Sequence, residues 1–105
     1  MKLSIALPAL LLGGLMALSA NSQNVVNGTV SEEKTKEILP GVSVLIKGTT
    51  KGVPTNLDGE YSLELTDEEF RNDTLVFRFV GYKTFEIPVK ARNSINALLA
   101  PDEKL

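Results

Sequence analysis

Asp58 and Glu60 flank Gly59, and two carboxylates are the first place to look for chemistry, because such a pair can divide proton donation and nucleophilic attack between them. A working pair must face its partner across a cleft. These two sit in or beside Asn56-Leu57-Asp58-Gly59, a turn sequence, and turns carry acidic residues routinely. A second group, Asp67, Glu68, Glu69 and Asp73, offers oxygen ligands for calcium but lacks the ordered Asp/Asn and Gly spacing of an EF-hand loop. A solvated acidic turn is the expected reading there. The chain has no His and no Cys. This removes the usual general base, the thiolate nucleophile and nearly every zinc ligand set. No catalytic, cofactor-binding or metal-binding residue is therefore expected, and no enzyme.

Tyr61, Tyr82 and the four phenylalanines raise a different possibility, aromatic platforms for sugar. Their period-two placement assigns them to a core first, with Tyr82 beside Gly81 the least firmly assigned. A secreted carbohydrate-binding or adhesion domain is the alternative function class that exposed aromatics would favour. Two sequons, Asn27-Gly28-Thr29 and Asn72-Asp73-Thr74, would matter only in a eukaryotic secretory pathway. The absence of Cys argues against that origin, since small eukaryotic secreted domains usually need disulfides.

The elements that must carry these residues are strands. From Val25 onward apolar residues recur at alternate positions in short runs separated by Gly, Pro, Asn and Asp. Val26, Gly28 and Val30 mark a first strand, and Glu32 to Glu37 a solvated charged loop. Val42, Val44 and Ile46 should face the core in a second strand, and Val53-Pro54-Thr55 is read as an edge strand because Pro54 cannot donate on both sides. Tyr61, Leu63 and Leu65 define the next, with Ser62 and Glu64 wet. Thr66-Asp67-Glu68-Glu69 has the spacing of a capping box and predicts one helical turn reaching Phe70. Leu75, Phe77 and Phe79 then alternate with Val76, Arg78 and Val80 in the most apolar strand, placed centrally. Phe85, Ile87 and Val89 follow with Pro88 marking an edge, and Ile95, Ala97 and Leu99 close the series. Seven short strands at this spacing predict an all-β, antiparallel, two-sheet Greek-key sandwich. The segment 101–105 is a polar tail, expected to fray.

Residues 1–22 read as a signal peptide. Met1-Lys2 is a short basic start, and Leu3 to Leu18 is an almost wholly apolar run of sixteen before polar Asn21 and Gln23. A retained anchor needs about 20 apolar residues, whereas Pro8 and Gly13-Gly14 interrupt this shorter run. Cleavage after Ser22 satisfies the small-residue rule and leaves 83 residues, enough for one modest core. No transmembrane segment is expected in that remainder. Export without Cys fits a bacterium and excludes a lipid-anchored lipoprotein. The 11 Lys and Arg are scattered among 13 Asp and Glu, for a net charge of −2, so no nucleic acid partner is expected.

Three runs carry a family resemblance: Leu39 to Gly52 (LPGVSVLIKGTTKG), Asn56 to Leu63 (NLDGEYSL) and Leu75 to Lys83 (LVFRFVGYK). They resemble the carboxypeptidase-regulatory-like domain, in the version that precedes the plug of SusC/RagA-type TonB-dependent outer-membrane receptors of the Bacteroidota. The resemblance spans Val25 to Leu99, and residues 23–100 are assigned to the domain. It implies a transthyretin-like sandwich, no catalytic group, and a place in the periplasm or at the periplasmic face of the outer membrane. The expected role is a monomeric accessory module whose partner is a TonB-dependent receptor or its associated lipoprotein. With the sequence stopping at Leu105, both a free-standing module and a shortened receptor are open. In that lineage Asp73-Thr74-Leu75 also resembles a periplasmic O-glycosylation motif, although a plain strand start is the stronger reading.

Overall fold

A computed structural model describes residues 24–103; the assigned signal peptide, its cleavage site, and Lys104 and Leu105 lie outside the described residues. The elements run β1 (Val25–Glu32), β2 (Ser43–Ile46), β3 (Gly52–Pro54), β4 (Glu60–Glu64), α1 (Asp67–Asn72), β5 (Thr74–Arg78), β6 (Phe85–Pro88) and β7 (Ala97–Leu99). Among the described residues they form two sheets, ordered β4-β1-β7 and β3-β2-β5-β6. The two sheets enclose one apolar core. Val42, Val44 and Ile46 supply the inner face of the β2 region as the alternation requires, with Leu75 and Phe77 opposite Ile46 and Val44 on β5.

The expectation of purely antiparallel pairing is corrected by one pair, since β7 runs parallel to β1. After β6 the chain turns back at the pole where β1 begins, and Asn27 N–H donates to Asn93 O at 2.9 Å. The last strand therefore starts beside the start of β1 and can only run alongside it. Gly28 makes this approach possible: a Cβ there would lie 2.1 Å from Ile95 O, inside any van der Waals limit.

Strand ends also differ from the periodic reading. β5 stops at Arg78, Phe79 and Tyr82 stack with centroids 5.6 Å apart, and Val80 is left 92% exposed at a turn closed by Tyr82 N–H to Phe79 O. Val89 and Ile95 are core residues outside any strand, so the last two strands are shorter than expected. Val76 is buried although it lies on the outer face of β5. Its register places it between Leu45 and Glu86, with an ion pair crossing that face from Lys47, just past β2, to Glu86 on β6.

The charged loop is not solvated throughout. Glu32 is 7% exposed, and its Oε1 accepts the N–H of Lys34 and of Thr35, at 2.9 and 2.6 Å. The Thr35 N–H is the main cause that holds this carboxyl below the usual carboxylate range. The tail is likewise tied down where it is described. Pro101 bridges Tyr82, and Asp102 N–H donates to Gly81 O, because the turn after β5 offers unpaired main-chain groups to it.

Candidate protein-docking edge

The residues that first invited a chemical reading are used locally. Asn56 Oδ1 accepts the N–H groups of Asp58 and Glu60, both at 2.9 Å, so these two carboxylates decorate a turn that Asn56 builds. Gly59 closes it at φ +74, where a side chain would be strained. The helix α1 has the expected capping box: Thr66 Oγ1 accepts from Glu69 N–H, and Glu69 Oε1 accepts from Thr66 N–H. Glu69 also receives Lys51 Nζ at 2.7 Å, and that bond is the largest cause lowering its pKa. Asp67 accepts from Asn24 Nδ2, and Asp73 caps the helix C-terminus. Among the described residues no three acidic side chains gather as a metal site would require.

Tyr61 belongs to the core. Its hydroxyl donates to Ile95 O at 2.6 Å, its ring meets the Phe77 edge at 5.6 Å, and burial pushes the phenol well above its ordinary pKa. Tyr82 is half-buried and stacked on Phe79 rather than presented as a free platform. Thr74 heads β5, half-buried, with its carbonyl accepting Lys47 N–H.

The sheet margins are more informative than these side chains. In an antiparallel pair the hydrogen bonds alternate inward and outward along each strand. Thr55 N–H bonds Val42 O and Ile46 N–H bonds Lys51 O, so Pro54 sits at an outward position on the edge strand β3. Val89 N–H bonds Asp73 O, which puts Pro88 at an outward position on β6, the other margin of the same sheet. Both prolines lie where a missing N–H blunts the edge and costs the ladder nothing. The expectation of proline-marked edges therefore holds for this sheet.

The other sheet has no such guard. On β7 the turn after β5 covers the far end, since Lys83 N–H donates to Ala100 O. On β4 the bonds Leu65 N–H to Asn24 O and Val30 N–H to Gly59 O set the alternation. Tyr61 and Leu63 then bond to β1, whereas the main-chain groups of Ser62 and Glu64 point away from it. They face two contiguous hollows of about 680 and 670 Å³ that share Val53 and Ser62 and are lined from both β4 and β3. Gly52 lines the second hollow, its main chain at an outward position of β3 by the same alternation. Sequence reasoning anticipated Ser62 and Glu64 as wet but not as a margin, because alternation identifies a face and not a strand's neighbours.

The chain is 37% identical over 91 residues to TonB-dependent receptor P26 of Formosa agariphila, an alignment covering 87% of this chain and 9% of the receptor. It is 30% identical over 96 residues to TonB-dependent receptor SusC of Bacteroides thetaiotaomicron, covering 91% and 9%. The chain thus spans about a tenth of the length of these relatives. Among solved structures it is similar in fold to a membrane-associated protein of Bacteroides fragilis, with a TM-score of 0.52 at 16% identity over 75% of this chain and 28% of that one. It is also similar to a chain of a type II cohesin–X-dockerin complex of Acetivibrio cellulolyticus, with a TM-score of 0.52 at 20% identity over 71% and 52%. No helix among the described residues is long and apolar enough to cross a membrane. The model of the CarboxypepD_reg-like domain matches residues 26–105, and this chain belongs to that family.

Proposed function

We propose that the chain is an exported, non-enzymatic interaction module, monomeric, working at the periplasmic face of the outer membrane beside a TonB-dependent receptor or its associated lipoprotein. The observation that carries this reading is the β4 margin, where Ser62 and Glu64 offer main-chain donors and acceptors with no proline to block a partner strand. Main-chain pairing gives affinity without reactive side chains, which suits a chain without His or Cys. The kinship with receptors of the outer membrane supports the location and the class of partner. A contact of this kind is expected to be weak, on the order of micromolar, about −8 kcal/mol. Lysine-reactive crosslinking in intact envelopes, followed by mass spectrometry, tests it. Adducts with a TonB-dependent receptor or its lipoprotein are expected; self-crosslinks alone, or none from abundant folded protein, would overturn the reading.

A further inference from the structure

The β4 margin carries a charge pattern as well as a row of main-chain groups. Side chains of Glu60, Ser62 and Glu64 share the outer face of the strand, all three exposed, while Tyr61 and Leu63 turn inward. Across the ladder on β1 their register partners are Thr29, Asn27 and Val25, none of them charged. Lys51, the cation lining the adjoining hollow, is engaged by Glu69 at 2.7 Å. Glu60 receives only an amide, Asn56 Nδ2 at 3.4 Å, and neither glutamate forms an ion pair among the described residues. Two carboxylates four residues apart thus flank the position where an incoming strand would pair.

Any strand added here antiparallel to β4 places its residues directly opposite 60, 62 and 64 on the same face. A second copy of the chain, paired about Ser62, would set Glu60 against Glu64 twice, and like charges directly opposite repel. The edge is therefore guarded against its own kind by charge where the other sheet is guarded by proline. The same pattern selects a partner. Resting on the accessory-module reading, we infer that the open margin of β4 takes an extended protein segment, antiparallel to β4, with Lys or Arg four residues apart and a small residue between them opposite Ser62. The outward groups of Glu60 are already used by Asn56, whose N–H reaches Glu60 O and whose side chain accepts Glu60 N–H, so the new ladder is built on Ser62 and Glu64.

The test uses three blocked synthetic peptides containing Lys-Val-Thr-Val-Lys, Glu-Val-Thr-Val-Glu or Lys-Val-Pro-Val-Lys, titrated into the ¹⁵N-labelled domain. The first should shift the Ser62 and Glu64 amides and bind about tenfold more tightly than the second at low salt, since two favourable pairs replace two repulsive ones. High salt should narrow that ratio, and the proline peptide should lose binding because it lacks the N–H opposite Ser62. The variant E60K/E64K, changed only at exposed positions, should keep the wild-type unfolding midpoint and reverse the peptide preference. A 1:1 mixture of that variant with wild type should self-associate more than either alone in sedimentation equilibrium. Equal binding of the Lys and Glu peptides, an unchanged preference in the variant, or no shift at Ser62 and Glu64 with any peptide would overturn the inference. These outcomes are independent of whether a receptor is captured in cells, so failure here and failure of the accessory-module reading can be told apart.

Discussion

Truncating Phe77 to Ala should remove most of the stability of the domain. The ring is fully buried at the centre of β5, edge-on to Tyr61 at 5.6 Å and tilted against Phe85 at 5.9 Å. Loss of a buried Phe side chain costs about 3–5 kcal/mol, of which the two aromatic contacts account for about 0.5–1.5 kcal/mol each. A domain of this size holds on the order of 4–12 kcal/mol in all. With a urea dependence of about 1 kcal/mol per molar, the midpoint should fall by about 3–5 M. If Phe77→Ala is unfolded without denaturant, Phe77→Leu keeps the comparison alive with a fall of about 1 M. The neighbouring Arg78 points outward, so Arg78→Ala should move the midpoint by less than about 0.5 M. The assay is urea unfolding followed by far-ultraviolet circular dichroism. A loss for Arg78→Ala equal to that for Phe77→Leu would refute the register of β5.

Four further variants test individual contacts. Tyr61→Phe leaves Ile95 O without its donor and should cost about 1–3 kcal/mol. Because the folded-state pKa of Tyr61 is raised, the wild type should lose stability as pH climbs above about 10, the unfolded phenol value, and melts across that range should show a smaller loss for the Phe variant. Gly28→Ala puts a methyl against Ile95 O and should cost at least about 2 kcal/mol, read as a drop in melting temperature far larger than for an exposed strand substitution. Thr66→Ala removes the hydroxyl that accepts Glu69 N–H and should cost about 1 kcal/mol. Since the Glu69 pKa is lowered, its ion pair with Lys51 stabilises above the ordinary carboxylate range and is lost on acidification, so Lys51→Met should flatten the acid limb of the stability profile.

Alternation made the inner faces legible before any coordinates: Val42, Val44, Ile46, Tyr61, Leu63, Leu75 and Phe77 are all buried. The capping box at Thr66 was legible for the same reason, being local in sequence. What alternation could not supply is which strands are neighbours. The parallel β1–β7 pair depends on the close approach of Gly28 to Ile95, residues far apart in the chain. The burial of Val76 could not be read from the alternation in its own strand, because nothing there announces the Lys47–Glu86 pair that crosses the outer face. Glu32 looked like one charge in a loop, and only the turn geometry gives its carboxylate two main-chain donors. For the docking edge, Pro54 and Pro88 marked two margins directly. The margin without proline emerged from strand order, which placed Ser62 and Glu64 at the edge of the second sheet.

The central claim is that the β4 margin meets a receptor or its lipoprotein in the envelope. Replacing Ser62 with a photoreactive amino acid in living cells, beside a matched replacement of Glu86 on the margin blunted by Pro88, tests it most directly. The account predicts a light-dependent adduct with a TonB-dependent receptor or its associated lipoprotein from position 62 and little from position 86. Equal adducts from both positions, or none from position 62 while the protein is folded and exported, would contradict it.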